Sequence, residues 1–265
     1  MPSAGTVGTA TNMSARSRAD SMGVVRSRYR DSIVGVLDRI LATSGDALDR
    51  ARDAVVAALR ADRLVYVGGS GHSHLIAEEA FYRAGGIAAA QAILEPDLML
   101  HNGAVRSTRL EREEGRAEQV IANYPVGQGD VVFVASHSGR NAFPIELALA
   151  ASERGATTVA ITSLSHARAT TSRHRSGKLL FEVADIVIDN GGAYGDASLP
   201  IDGRTVRMGP MSTIAGVFII NTVMAEAVAS LAAVGVAVDV YQSANMQLTE
   251  VEEMVTRWQP RIRGL

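Results

Sequence analysis

Three short stretches of the chain hold hydroxyls, imidazoles and glycines at the ends of apolar runs. GGSGHSH (68–74) closes the run LVYV and offers Ser70, Gly71, His72, Ser73 and His74. SHSGRN (136–141) closes VVFVA and offers Ser136, His137, Ser138, Gly139, Arg140 and Asn141. TSLSH (162–166) closes TTVAI and offers Thr162, Ser163 and Ser165. Such parts suit a phosphate monoester, which carries nearly two negative charges at neutral pH and is received by the unpaired N–H groups of a helix N-terminus. In the second stretch Gly139 admits close backbone approach, Ser136 and Ser138 donate hydroxyls, Asn141 caps the helix or donates its amide, and Arg140 adds charge. Serine and asparagine at such turns more commonly serve only as helix caps. Three turns of this kind on one sheet edge favour a phosphorylated small ligand.

Other chemistries fit less well. Gly69 and Gly71 imitate the first two glycines of a dinucleotide fingerprint, but His74 stands where the third belongs and no acid follows about 20 positions on. Gly177-Lys178 lacks the first glycine of a nucleotide-binding loop. His72 and His74, with His137, give a single metal-like spacing with no carboxylate tied to it, so neither metal nor cofactor is expected. The absence of cysteine removes thiolate nucleophiles and Cys-ligated zinc, and it fits a reducing cytoplasm.

The turns need a scaffold. The chain has 265 residues, enough for one large core. Apolar content of 47%, charged content of 20% and a net charge of −2 create no global field to attract nucleic acid or an acidic membrane. The basic residues are 25 arginines and Lys178 alone, which argues against a lysine Schiff base. Residues 1–20 read as a disordered leader lacking the apolar segment of a secretory signal. Two helices are expected within 21–61. Short apolar runs at 64–69, 86–94, 131–136, 157–163 and 179–189 then alternate with helices at 74–85, 111–123 and 142–154. Strands apolar on both faces and separated by helices imply an α/β fold with a parallel sheet covered on both sides. A helix over 212–234 carries Asn221 and Glu226, which suits a buried core helix better than a membrane span, and a helix over 247–258 ends the chain.

These turns resemble those of the SIS family, the sugar isomerase domains that bind phosphosugars. The resemblance covers about residues 30–245 and rests on Ser136, Ser138 and Asn141 in the phosphate loop, with asparagine where a hydroxyl usually stands, and on Gly69, Gly71 and Ser73. It tightens in GSGHSHLIAEEAFYRAGG, LMLHNG, LEREEGRAEQV, SHSGRNAFPIELALA, GDASLP, GPMST and QSAN, a set similar to a single-domain SIS subgroup. It implies a three-layer sandwich with a five-stranded parallel sheet over 62–245, N-terminal helices packed on it, and a C-terminal helix over 246–265.

It also implies a phosphosugar enzyme, and within the subgroup a lyase that dehydrates N-acetylglucosamine 6-phosphate. C2 deprotonation followed by loss of the C3 hydroxyl would need one base and one acid. Glu79 is the first expectation for the base and Glu78 the second: several relatives place their glutamate one turn later, at Arg83, and Glu79 shares that helix face. By its context Glu114 resembles the second carboxylate of related etherases, while most of the four acids at 111–114 and 118 read as solvated surface. His101, after LML, could protonate the departing hydroxyl. SIS sites commonly form between subunits, so a homodimer or dimer of dimers is expected, with Asn245 and Asp196 completing a neighbour's pocket or capping a loop. The alternatives are an aldose–ketose isomerase or ether lyase on the same fold, and a non-catalytic phosphosugar sensor. Two long helices over 21–61 with a mild cluster of arginines at 16, 18, 26, 28 and 30 are too little for a DNA-reading head.

Overall fold

The computed structural model describes residues 15–243, 245 and 249–265. Five parallel strands form the central sheet: β1 (Val65–Gly69), β2 (Ala90–Ile93), β3 (Val131–Ala135), β4 (Thr157–Thr162) and β5 (Ile186–Asp189), in the order β2-β1-β3-β4-β5. Every residue of β1, β2 and β3 is buried, as strands covered on both faces require.

One face is covered by α1 (Ala15–Thr43), α2 (Gly45–Arg60), α3 (His74–Ala80) and the long helix that follows the hairpin described below, with Ile40, Val55, Ile76, Ile219 and Val223 in that layer. The other is covered by α4 (Ala104–Leu110), α5 (Arg116–Ile121) and α6 (Ala142–Glu153), with Leu110, Ile121, Phe143 and Leu147 in its core. A short helix α7 (Leu164–Arg168) follows β4. The hairpin β6 (Ala197–Pro200) and β7 (Arg207–Pro210) pairs Leu199 with Met208 outside the main sheet. α8 (Ser212–Ala232) is long and apolar enough to cross a membrane by length and composition, but it packs Ala215, Ile219, Ile220, Val223 and Leu231 into the domain core as expected of a core helix. α9 (Thr249–Trp258) comes last.

Several boundaries differ from the sequence expectation. Residues 1–14 of the expected leader lie outside the described residues, and α1 already begins at Ala15. α3 stops at Ala80 rather than 85, because Phe81 is extended and Tyr82 has φ +40. The helix expected over 111–123 starts only at Arg116; residues 111–115 are a turn closed by Gly115 at φ +81. Of the run 179–189 only its last four residues join the sheet, the chain making a 3-10 turn at Leu180–Glu182. The hairpin went unread because its strands are short, mostly exposed and broken by glycine and proline.

Gly69 ends β1 where a Cβ would lie 2.5 Å from the Ser73 Cβ and 2.8 Å from the Ala135 carbonyl oxygen. Gly69→Ala is therefore expected to cost about 1–3 kcal/mol in a urea melt, the range for overpacking. A loss under about 0.5 kcal/mol would show that the turn has room to move.

Candidate functional site

β1 and β3 are adjacent, yet the chain leaves them toward opposite edges of the sheet, β2 lying outside β1 and β4 outside β3. A crevice opens at the carboxyl ends of such a pair. Gly69 is level with Ala135, so the turns beginning at Ser70 and Ser136 leave the sheet side by side.

In the second turn Gly139 has φ +58, and a Cβ there would lie 2.9 Å from Thr162 Oγ1 and 3.2 Å from Leu180 Cβ. The Gly139 N–H donates to Ser136 Oγ at 3.2 Å. The backbone N–H groups of Ser138, Arg140 and Asn141 have no acceptor among the described residues. The Ser138 side chain likewise has no hydrogen-bond partner among them, which leaves a short row of donors for an oxyanion.

Asn141 precedes α6 but its side chain does not cap it. Its Nδ2 donates to Glu111 Oε1 at 2.8 Å, and its Oδ1 accepts from Arg173 Nη1 at 2.8 Å. Ser70, from the first turn, donates to Glu111 Oε2 at 2.7 Å. The Glu111 carbonyl accepts the Phe143 N–H at the start of α6, 3.0 Å away. Glu111 thus lies between the two turns and is bonded to both. Burial raises its carboxyl above the ordinary value, against the Ser70 bond and the charges of Arg112 and Arg173, which pull it down.

The sequence points to Glu114 in this stretch and does not single out Glu111. The break at Gly115 sets the two apart: Glu111 bonds to both turns, and Glu114 accepts the Arg175 N–H at 2.6 Å. Glu79, the first expectation for the base, has its partners elsewhere in the fold. It pairs with Arg83 and accepts Asn221 Nδ2 at 2.8 Å, on the rim of a separate apolar groove of about 530 Å³ between α3 and α8. Glu78 is exposed on the helix surface. Neither shares a hydrogen bond with the turns.

The remaining candidates divide. In the first turn Gly71 has φ +56, and His72 and Ser73 have no side-chain partner among the described residues. His101 is exposed in a 3-10 turn beside it, where Leu100 approaches Gly71. Ser163, fully buried, donates to the Gly192 carbonyl at 2.6 Å and accepts the His166 N–H at 3.1 Å; it caps α7 and is not free for a ligand. Both ring nitrogens of His137 are engaged, Nε2 with the Ala193 carbonyl at 3.0 Å and Nδ1 with Asn190 at 3.3 Å, so His137 holds the loop after β5 instead of facing a ligand. Asp196 accepts the N–H groups of Met211 and Ser212 at 2.9 and 2.7 Å and caps α8. Asn245 is exposed, with its N–H on Ser243 Oγ at 3.3 Å.

His74 is buried. Its Nδ1 lies 3.3 Å from the Gly71 carbonyl and its Nε2 has no partner; burial, more than the neighbouring His101, pushes its pKa down to about 4, so it is neutral. Glu114, Glu146 and His174 come within metal-ligand distance of one another. Their oxygens already accept the N–H groups of Arg175 and Gly115, which makes the cluster a fastening between loops.

Residues 171–180 lace along the second turn. The Arg173 N–H donates to the Arg140 carbonyl and the Leu180 N–H to the Gly139 carbonyl, each at 2.8 Å, and Arg140 Nε donates to the Thr171 carbonyl at 3.0 Å. Lys178 is exposed on this segment. Desolvation, then the charges of Arg140 and Arg112, lower the Arg173 pKa. None of these three arginines has a salt-bridge partner among the described residues. Arg112 and Arg173 escaped sequence reading because only folding brings their distant segments together.

A profile of the SIS domain matches residues 28–163. The chain belongs to the SIS domain family. It is 43% identical over 231 residues to a UPF0309 protein of Geobacillus thermodenitrificans, covering 87% of this chain and 92% of that one. A UPF0309 protein of Brucella ovis is 43% identical over 225 residues, or 85% and 91% of the two chains. Among solved structures, phosphoheptose isomerase from Neisseria gonorrhoeae superposes with a TM-score of 0.52 at 16% identity, covering 81% of this chain and 98% of that one. The enzyme from Francisella tularensis gives 0.51 over the same shares at 16% identity. The fold of this SIS-domain chain is thus the α/β sandwich its turns resembled.

Two outcomes follow from the site's geometry. A carboxyl whose folded pKa is raised favours folding fully below its unfolded value, near 4.5, and loses that contribution as pH rises through the folded value. Glu111→Gln, which can keep the Asn141 bond and donate to the Ser70 hydroxyl in place of accepting from it, should therefore gain stability over the parent from pH 5 to pH 8 in urea melts and match it near pH 4. A pH-independent difference would contradict a desolvated carboxylate. Asp196→Ala should cost about 1 kcal/mol through loss of the α8 cap and leave phosphate affinity unchanged, measured by thermal melts with and without inorganic phosphate.

Proposed function

We propose that this SIS-domain chain is a phosphosugar lyase, dehydrating N-acetylglucosamine 6-phosphate by removal of the C2 proton and loss of the C3 hydroxyl. The observation that carries the phosphosugar reading is the second turn, with its free N–H groups and its unpaired arginines. Arg112 and Arg173 act on one carboxylate, Glu111, and Arg140 lies near Arg173, so three guanidiniums and one carboxylate leave two positive charges beside the turn. A phosphate monoester brings nearly two negative ones.

The choice of sugar and of lyase chemistry rests on the resemblance of GSGHSHLIAEEAFYRAGG, SHSGRNAFPIELALA, GDASLP and QSAN to the single-domain SIS subgroup. An acid–base residue in the same crevice is compatible with it, because proton abstraction next to a carbonyl requires no more than a positioned base and acid. His101 and His72, exposed at the first turn, are the groups assigned to the sugar hydroxyls, and Asn245 is assigned to a neighbouring subunit in a homodimer or dimer of dimers.

Incubation with N-acetylglucosamine 6-phosphate should yield a product lighter by one water in mass spectra, with a new unsaturated chromophore. Binding without water loss, accompanied by deuterium exchange at C2, would replace the lyase by an isomerase; binding with neither would leave a sensor. Arg173→Ala should weaken binding of the phosphosugar roughly tenfold, the loss of one charge-assisted hydrogen bond, read by thermal shift.

A further inference from the structure

We propose that Glu111 is the catalytic residue that takes the C2 proton of the sugar and hands it to the departing C3 oxygen. This rests on the phosphosugar reading of the preceding section and assigns its chemistry to a residue which the motifs do not mark.

Position comes first. Ligands on a sheet of this order sit between the two diverging strands, and Glu111 is the carboxylate bonded to both turns that border this gap. Its backbone is pinned by the Phe143 N–H, and its two oxygens are aimed by Ser70 and Asn141, so its geometry is set before any ligand arrives. A carboxylate has about four acceptor sites and these partners take two, which leaves a lone pair on each oxygen for a proton.

The competing carboxylates are committed elsewhere. Glu79 is held by Arg83 and Asn221 beside the α8 groove, Glu114 by the Arg175 N–H, and Glu146 by the Gly115 N–H. Glu78 is exposed on α3.

Chemistry follows from the surroundings. Burial strengthens Glu111 as a base, while Arg112 and Arg173 keep its ionised form accessible, the balance wanted of a group that must both take and give a proton. Arg173 bonds Asn141, and Asn141 bonds Glu111, so a phosphate drawn to Arg173 reaches the carboxylate through one amide.

The step balances without a co-reactant. The C2–H electron pair becomes the C1–C2 double bond of an enolate as the proton moves to a Glu111 oxygen. On reversal of this step a deuteron gained by the Glu111 carboxyl from D2O returns to C2; going forward, the C1 carbonyl re-forms, the enolate electrons build the C2–C3 double bond, the C3–O bond breaks, and the departing hydroxide takes the proton held by Glu111. One water leaves and the carboxylate is restored.

The test is hydrogen–deuterium exchange at C2 of N-acetylglucosamine 6-phosphate in D2O, followed by NMR alongside water loss, with binding measured separately by thermal shift. Glu111→Gln should bind the sugar phosphate and lose exchange and dehydration about 10²–10⁴-fold, the usual worth of an acid–base group. Glu111→Asp keeps the carboxylate one methylene short, and should lower kcat while leaving KM nearly unchanged and retaining a pH-dependent rate; it serves as well should the glutamine variant fail to fold. Glu79→Gln should exchange C2 like the parent. Undiminished exchange in Glu111→Gln or Glu111→Asp, or its loss in Glu79→Gln alone, overturns the assignment to Glu111 while leaving the phosphosugar reading standing. A parent protein that binds no sugar phosphate overturns that reading, and this one with it.

Discussion

Adjacent parallel strands that feed chain toward opposite edges cannot have their carboxyl ends covered by their own connections, and β1 and β3 stand in that relation. Everything of interest in this molecule occupies the opening they leave. The level register of Gly69 and Ala135 sets the two turns shoulder to shoulder, and a carboxylate wedged between them makes one surface of what would otherwise be two loops.

The wedge is electrostatically expensive by itself. A half-buried carboxylate loses part of its hydration, and here two hydrogen-bond donors and two nearby arginines offset some of that loss. The arginines in turn lack carboxylate partners of their own among the described residues. Desolvation, and after it the charges of Arg140 and Arg112, depress the Arg173 proton affinity, and a bound anion would relieve the repulsion. Charge that is unfavourable in the free protein is thus arranged as attraction for a ligand.

The fold could be read from the sequence because its strands are continuous apolar runs with no alternation, and only a doubly covered parallel sheet makes use of such runs. The second turn could be read because its residues are consecutive. Glu111, Arg112 and Arg173 could not: the first two lie in a charged stretch with helical spacing, and the third in a loop with no pattern at all. Gly115 was the available sign that the helix does not run through. The serines illustrate the opposite error, since Ser163 is a helix cap although it sits at a strand end as Ser136 does. Composition does not distinguish a spent hydroxyl from a free one; hydrogen-bond partners do.

Lys178 is the chain's one lysine side chain, and it is exposed on the segment fastened to the backbone of Arg140 and Gly139. Apart from the terminal amine, reagents that couple to primary amines will therefore react at the border of the crevice and nowhere else on the surface. A sensor chip or fluorophore attached in that way would tether the protein by the segment that borders the second turn, whereas capture through an affinity tag would leave that segment turned toward solution.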